Sequence, residues 1–162
     1  MPGHRLILGL GGNLGQVAAA LSAALQEAER LLGPLIHASG VYRSEPWGSG
    51  GQPWFLNQIA EFETRLAPLD CLRACQAIED RHGRLRTVDR NAARTLDIDL
   101  LYYDELVMDT PELVLPHPRI AQRHFVLVPL AEQWGAVRHP PEGPTVAELL
   151  ERCQDRLRVE PL

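Results

Sequence analysis

The stretch RTLDIDLLYYD, residues 94–104, decides how the chain can fold. Its apolar and β-branched residues predict a β-strand, in which successive side chains point to opposite faces. Ile98 and Leu100 therefore share one face, and Asp97 and Asp99 share the other. At about 6 Å and an effective dielectric constant of about 20, the two carboxylates repel each other by roughly 3 kcal/mol. A divalent cation, nearby arginines, a shared proton or exposure to water at a sheet edge could each offset this repulsion.

Length and charge limit the class of protein. With 162 residues the chain can bury a sizeable core, and we expect one domain over residues 1–162. A net charge of -5 argues against general binding to nucleic acid or to anionic membranes. No apolar run approaches the length of a membrane-spanning helix, and the apolar part of MPGHRLILGLGG is too short for a signal peptide. We therefore expect a cytoplasmic monomer whose partners are small molecules.

Arginine supplies all 16 basic side chains, because the sequence contains no lysine. Mechanisms that need a lysine, such as those of P-loops and Schiff bases, are thereby excluded. Cys71 and Cys75 are spaced i, i+4, and with Cys153 they indicate neither a disulfide framework nor a zinc site. Any phosphate recognition must then depend on arginine, backbone amides and metal.

The pattern of the first hundred residues predicts the order β-α-β-β-α-β. HRLILGLGGNLG is typical of a buried strand that runs into a glycine turn, and residues 16–32 follow as a helix. Residues 35–44 and 55–64 are two further strand candidates. The second helix is expected to begin at Pro68 and to end at Gly83. This order predicts an α+β fold, a ferredoxin-like sandwich with a βαββαβ core and an antiparallel sheet.

The last third of the chain predicts C-terminal additions to this core. Residues 107–109 could pair with the strand that carries the two aspartates, across a turn at Asp104 and Glu105. FVLVPLAE, residues 125–132, is typical of a short strand or an irregular core segment. TVAELLERCQD indicates a capped helix that begins near Thr145.

A cluster of arginines directly precedes the two aspartates. A polyphosphate needs arginine side chains on its oxygens and a magnesium ion held by carboxylates, so the combination points to phosphoryl-type transfer. The same residues could instead form surface ion pairs that contribute little to stability. The cluster comprises Arg81, Arg84, Arg86, Arg90 and Arg94.

Three other motifs could bind a ligand. The loop SEPWGSGGQPWFLN, residues 44–57, carries aromatic residues that could stack on a planar heterocycle, and Asn57 could bind the edge of such a ring. Trp54 by itself is more typical of the core. GLGGNLG could present amides to an anion or simply form a tight turn. His117, between the two prolines of PHPR, could serve a structural role or reach a phosphate together with Arg123.

Taken together, the motifs resemble those of a known family. GGNLG, VYRSEPWG with QPWFLN, GRLR, RTLDIDLL and PHPRIAQRHFVLVPL occur in order, and their gaps are similar to those of the 6-hydroxymethyl-7,8-dihydropterin pyrophosphokinase family of folate biosynthesis. The resemblance covers about residues 5–134. It implies transfer of the β,γ-pyrophosphoryl unit of ATP to the hydroxymethyl oxygen of the pterin, with release of AMP.

The resemblance also implies roles for individual residues. Asp97 and Asp99 match the pair that holds two magnesium ions between ATP and the acceptor. Positions that stabilise the transferring phosphates match Arg84 and Arg94, with Arg86 assisting. Positions that hold the nucleotide match Gln76, Glu79, Leu100, His117 and Arg123. Positions of the pterin pocket match Ser44, Trp47, Phe55, Asn57 and Phe125, with Asp97 also close to the acceptor.

The sequence departs from the family pattern at two places, and two other classes of protein are also compatible with it. Residues 91–93, Asn-Ala-Ala, stand where the family usually has a tryptophan and then a proline before Arg94, which bears on how this loop closes over the pterin. Gly12 replaces a common serine. One alternative is a ferredoxin-like module that senses a nucleotide without turnover. The other is a metal-dependent nuclease, against which the acidic net charge and the aromatic loop weigh.

Overall fold

The computed structural model contains eight strands and four α-helices among the residues that it describes, which are 3–46, 51–83 and 95–162. Within these residues, no helix has the length and apolar character that a bilayer span requires. The strands are β1 (His4–Gly12), β2 (Leu35–Ala38), β3 (Tyr42–Ser44), β4 (Phe55–Thr64), β5 (Asp97–Tyr103), β6 (Met108–Asp109), β7 (Val114–Leu115) and β8 (Val159–Pro161). The helices are α1 (Val17–Leu32), α2 (Pro68–Arg81), α3 (His124–Trp134) and α4 (Val146–Arg152), with a short 3-10 helix at Ile120–Gln122.

The main sheet is antiparallel and has the strand order β5-β1-β4-β3-β8, with β2 also paired to β4. β1 is an inner strand that pairs with β4 along its whole length and with β5 on its other side. β6 and β7 form a separate two-stranded sheet. The fold is therefore a mixed α/β structure built on an antiparallel sheet, as the sequence predicts.

Helices cover both faces of the sheet, because β1 is apolar on both sides. Leu6, Leu8 and Leu10 are buried in one core cluster with α1 and α2. Ile7 is buried in a second cluster with α3 and α4. Alternating side chains of one strand thus face two helical layers, which explains the continuous apolar run at the start of the chain.

A bulge in β5 changes which residues face each layer. Ile7 is paired with Tyr102 and Leu8 with Leu100, so Leu101 is an extra residue between them. Both Leu101 and Tyr102 consequently lie in the cluster with α3 and α4, whereas Leu100 lies in the opposite one. The odd-numbered residues before the bulge, which include both aspartates, share the face of Leu101.

Several predicted elements are confirmed. α1 and α2 begin and end close to the predicted residues, and the turn at Asp104 and Glu105 is present. α4 follows Thr145, whose side chain accepts a hydrogen bond from the N–H of Glu148 while the Glu148 carboxylate binds the N–H of Thr145. This reciprocal capping is the arrangement that the local sequence indicates.

Two strand predictions are wrong in detail. Residues 35–44 form two short strands instead of one, and at the break between them the Ser39 hydroxyl accepts the N–H of Ile59. The predicted strand at 107–109 does not pair with β5. Met108 and Asp109 pair with Leu115 and Val114 instead.

The segment FVLVPLAE is helical, so the prediction of a strand or irregular segment is also wrong. It forms most of α3, with Pro129 inside the helix. Its apolar side chains are buried between the sheet and α4, and this tertiary burial outweighs the strand propensity of two valines. The first turn is capped by Asp155, which accepts the N–H of His124 at 3.1 Å from 31 positions downstream.

Candidate active site

A cavity of about 640 Å³ lies on the face of the sheet that α3 and α4 cover, beyond the part that these helices fill. β1, β4 and β5 form its floor, and the segment from 117 to 126 forms one wall. The structure brings many of the sequence-predicted site residues together here. Those that line the cavity are Ser44, Phe55, Asn57, Asp97, Asp99, His117, Arg123 and Phe125.

The two aspartates lie at the start of β5 and point to the same side, as predicted. In the ladder with β1, Asp97 is paired with Gly11 and Asp99 with Gly9. Neither glycine has a side chain, so the side chains of other residues approach β1 closely at these two positions. The Asp99 side chain is one-third exposed, at 33%. The acidic pair is therefore accessible to a ligand in the cavity.

Basic groups from the wall approach Asp99. Arg123 Nη1 is 3.5 Å from Asp99 Oδ2, and His117 Nε2 is 3.9 Å from Asp99 Oδ1. The backbone N–H of Arg119 donates to His117 Nδ1 at 3.1 Å, so a neutral imidazole carries its proton on Nε2, toward the carboxylate. Charges of both signs thus meet at one point of the cavity.

Glu79 ties α2 to the acidic strand. Its buried carboxylate accepts the backbone N–H of Ile98, the residue between the two aspartates, at 2.8 Å. Gln76 is half-buried one turn earlier on α2. The Leu100 side chain packs in the core with α1 and α2, so only its main chain remains for a ligand. None of these three residues belongs to the described residues that line the cavity.

An amide and two aromatic rings also line the cavity. Asn57 is buried and donates from Nδ2 to Ser44 Oγ at 2.8 Å. Phe55 and Phe125 are half-buried and line the same cavity. The Arg123 guanidinium lies 5.6 Å from the centre of the Phe125 ring. A planar polar molecule would find both apolar faces and a fixed amide here.

Several predicted residues lie outside the part of the chain that the structure describes. They include the departure from the family pattern at residues 91–93. The predicted site residues concerned are Trp47, Arg84, Arg86 and Arg94.

The structure also shows cavity residues that the sequence reasoning missed. Gly9 and Gly11 belong to β1, and the chain bends only at residues 14–16, so a turn does not explain these two glycines of GLGGNLG. A Cβ on Gly11 would lie 2.8 Å from Asn57 Oδ1, which shows that the Asn57 amide rests directly on this glycine. The period of two between the glycines, matching that of the aspartates, is the signal that could have located them. Glu45, Gln58, Arg119 and Gln122 also line the cavity, without a comparable signal.

The donor set at the acidic pair is compatible with magnesium. Mg²⁺ is commonly held by one or two carboxylates, with substrate phosphates and water completing its octahedral shell. Asp97 and Asp99 supply two carboxylates of this kind, and a substrate phosphate could complete the shell.

Comparison with solved structures shows which known proteins share this fold. Solved structures of HPPK-DHPS proteins match the fold: one in complex with substrates has a TM-score of 0.74 and 13% identity over 94% of this chain. A Plasmodium falciparum HPPK-DHPS structure with pteroate has a TM-score of 0.75 and 15% identity over 92% of this chain. This chain spans less than half of those two chains, 43% and 42%.

Other relatives are more similar to this chain in sequence than these two proteins are. The enzyme named 2-amino-4-hydroxy-6-hydroxymethyldihydropteridine pyrophosphokinase in Pseudomonas aeruginosa is 43% identical over 151 residues, which is 93% of this chain and 92% of the relative. The enzyme of the same name in Methylorubrum extorquens is 43% identical over 129 residues, which is 79% of this chain and 81% of the relative. The family model for 7,8-dihydro-6-hydroxymethylpterin-pyrophosphokinase matches residues 7–134. The chain therefore belongs to the 7,8-dihydro-6-hydroxymethylpterin-pyrophosphokinase family of diphosphate-transferring enzymes.

Proposed function

We propose that the protein transfers the β,γ-pyrophosphoryl group of ATP to the hydroxymethyl oxygen of 6-hydroxymethyl-7,8-dihydropterin and releases AMP, in a reaction that requires Mg²⁺. One observation carries the proposal. A single cavity brings the acidic pair together with basic side chains, a buried amide and two aromatic rings. Such a cavity suits a polyphosphate and a planar heterocycle that must meet at a metal.

The nucleotide belongs on the basic side of the acidic pair. Arg123 and His117 present N–H groups beside Asp99 and would donate to phosphate oxygens. We assign the transferring phosphates to Arg84 and Arg94, assisted by Arg86, on the strength of the family pattern. Gln76, Glu79 and the main chain of Leu100 would contact the rest of the nucleotide. Arginine is suited to this task because its fork of donors matches phosphate oxygens and keeps its charge at any physiological pH.

The pterin belongs on the aromatic side. Phe55 and Phe125 would pack against the faces of its ring, and Asn57 would bind its edge. Ser44 holds the Asn57 amide through the 2.8 Å hydrogen bond, so the edge-binding group is oriented before the pterin arrives. Trp47 would complete the pocket. Orientation of this kind lowers the entropic cost of aligning the hydroxymethyl oxygen with the phosphorus atom.

Asp97 and Asp99 would hold two Mg²⁺ ions, with Asp97 nearer the acceptor. Bound magnesium would neutralise charge on the phosphates and lower the pKa of the acceptor hydroxyl. The chain itself contributes position. β5 fixes the two carboxylates through its ladder with β1 and through the contact of Glu79 with the intervening N–H.

We further propose a ferredoxin-like arrangement for residues 4–103. The strand order β5-β1-β4-β3 with α1 and α2 on one face supports it, and α3, α4 and β8 would be the C-terminal additions. On this view residues 1–162 form one domain that works as a monomer in the cytoplasm. Its partners are then small molecules, with neither nucleic acid nor membrane.

The direct test is incubation of the protein with ATP, Mg²⁺ and 6-hydroxymethyl-7,8-dihydropterin. We expect AMP and the pterin diphosphate in equal amounts, and loss of turnover on chelation. Formation of ADP, or turnover that chelation leaves unchanged, would contradict the proposal. Binding of ATP without any turnover would instead favour a nucleotide-sensing module.

The metal role of the acidic pair is tested by Asp97→Asn and Asp99→Asn. Each substitution keeps the size of the side chain and removes its charge, so we expect normal folding and a fall in kcat of roughly 100- to 1000-fold. Asp109→Asn is the matched control, since Asp109 is an exposed aspartate of a different strand. A kcat close to that of the wild type in either site variant would show that the pair does not hold the metal.

A further inference from the structure

We propose that the C-terminal segment, residues 155–160, positions both walls of the acceptor end of the cavity and thereby sets affinity for the pterin, an inference that rests on the proposed function. The family model ends at residue 134, so the family match assigns nothing to this segment. Within the segment, Asp155 contacts one wall and Arg158 contacts the other. Both act through neighbouring residues and are positioning residues.

The first contact is with the start of α3. Asp155 Oδ2 accepts the N–H of His124 at 3.1 Å, and His124 Nδ1 donates to the carbonyl of Leu157 at 3.0 Å. Asp155 Oδ1 also accepts the N–H of Leu157 at 3.0 Å, which fixes the carboxylate. His124 is the residue immediately before Phe125. The segment therefore determines where the Phe125 ring enters the cavity.

The second contact is with the residues that begin the opposite wall. The N–H of Arg158 donates to Glu45 Oε1 at 2.6 Å, and the N–H of Glu45 donates to the carbonyl of Arg158 at 3.1 Å. Glu45 follows Ser44 and itself lines the cavity. Arg158 thus holds the chain at the point where it leaves β3.

The same arginine also holds the residue at which the chain returns to β4. The guanidinium groups of Arg43 and Arg158 lie 5.0 and 5.3 Å from the centre of the Trp54 ring. Glu160 lies between the two arginines: Arg43 Nε donates to it at 2.6 Å and Arg158 Nη2 at 3.2 Å. The hydrogen bond from Arg43 holds the pKa of Glu160 below its usual range. Trp54 immediately precedes Phe55, so the cluster fixes the second aromatic ring.

These contacts matter for binding because they order the walls before the acceptor arrives. Without them, part of the binding free energy would be used to immobilise the two walls. The contact of Asp155 with His124 lies beside Arg123 of the nucleotide end as well as beside Phe125. The contacts of Arg158 lie beside Ser44 and Phe55 of the acceptor end alone. A loss of the Arg158 contacts should therefore weaken pterin binding selectively.

The test is Arg158→Ala, with Arg73→Ala as the matched control. Both side chains are 65% exposed and each forms one surface ion pair, but Arg73 pairs with Asp70 on α2, away from the cavity lining. Arg158→Ala keeps the main-chain hydrogen bonds with Glu45 and removes the contacts of the guanidinium with Trp54 and Glu160. We expect it to raise KM for the pterin about tenfold, with KM for ATP and kcat changed less than about twofold. Arg158→Lys keeps a cation near Trp54 and Glu160, so it should recover most of the affinity. The control should behave as the wild type.

Calorimetric titration with 6-hydroxymethylpterin and with ATP, together with the melting temperature, separates the outcomes. Equal increases in KM for both substrates, or an unchanged KM for the pterin, would overturn the positioning role. If the wild type binds the pterin but shows no turnover, the proposed function fails while a tenfold weaker affinity in Arg158→Ala still supports positioning. No pterin binding by the wild type would overturn both.

Discussion

Replacing Gly11 by alanine should destabilise the protein, whereas the same change at Gly9 should have little effect. Both glycines lie in β1 opposite an aspartate of the acidic pair. A Cβ on Gly11 would lie 2.8 Å from Asn57 Oδ1 and 3.0 Å from the Leu56 carbonyl oxygen. A Cβ on Gly9 would meet only methyl groups, of Leu101 and Ile59, at 3.5 Å or more. Only the contacts at Gly9 have the spacing of ordinary van der Waals contact, about 3.5–4.0 Å.

The magnitude follows from what must move. The Leu56 carbonyl belongs to a strand paired on both sides, and the Asn57 amide is held by Ser44 in a buried position. Overpacking of this kind costs about 1–3 kcal/mol. Alanine also reduces the entropy of the unfolded chain, by about 0.4–1 kcal/mol, but equally at both positions. The difference between the two variants should therefore be about 1–3 kcal/mol.

Urea unfolding of the wild type and the two variants measures this difference directly. We expect Gly11→Ala to unfold at a clearly lower urea concentration than Gly9→Ala, with the same dependence on urea. Because the Asn57 amide must shift, Gly11→Ala should also bind the pterin more weakly. Equal midpoints, or a larger loss in Gly9→Ala, would refute the view that Asn57 rests on Gly11.

Two further predictions concern Tyr102 and Glu79. Burial raises the pKa of Tyr102 to about 12, so its contribution to stability is complete below pH 10 and is lost as the pH rises toward 12. Between pH 9 and pH 11, the free energy of unfolding should fall by about 1 kcal/mol less in Tyr102→Phe than in the wild type, and equal falls would contradict the burial of the hydroxyl. Glu79→Ala leaves the N–H of Ile98 without its acceptor and should cost about 1–3 kcal/mol, whereas Glu79→Gln keeps an acceptor oxygen and should cost less. Chemical denaturation measures the free energy of unfolding in both cases. An equal loss of stability in the two Glu79 variants would show that the negative charge, not the hydrogen bond, holds the strand.

Local patterns predicted those parts of the fold that depend on neighbouring residues. The period of two in β5 places Asp97 and Asp99 on one face, and the cap at Thr145 starts α4, because both depend on positions within a few residues. α3 could not be predicted in this way. Its first N–H is capped by Asp155, and its apolar residues are buried by α4, neither of which a short window contains.

The candidate site shows the same division. His117 and Arg123 were predicted because their chemistry is visible one residue at a time, whereas Phe125 was predicted only from the family resemblance. The role of Gly11 was missed, because it becomes evident only when Asn57 of another strand lies over it. The bulge at Leu101 was missed as well, because the register between two strands cannot be read from the sequence of one strand.

The contact of Glu79 with the acidic strand has a consequence for behaviour at high concentration. β5 is an edge strand of the described sheet, and such edges can recruit a strand from another molecule. The Glu79 carboxylate already accepts the N–H of Ile98, and the N–H of His117 already donates to the carbonyl of Leu101 at 3.0 Å. Two main-chain groups that could start intermolecular pairing are therefore satisfied within the molecule. We therefore expect these two contacts to reduce the tendency of this edge to pair with another molecule.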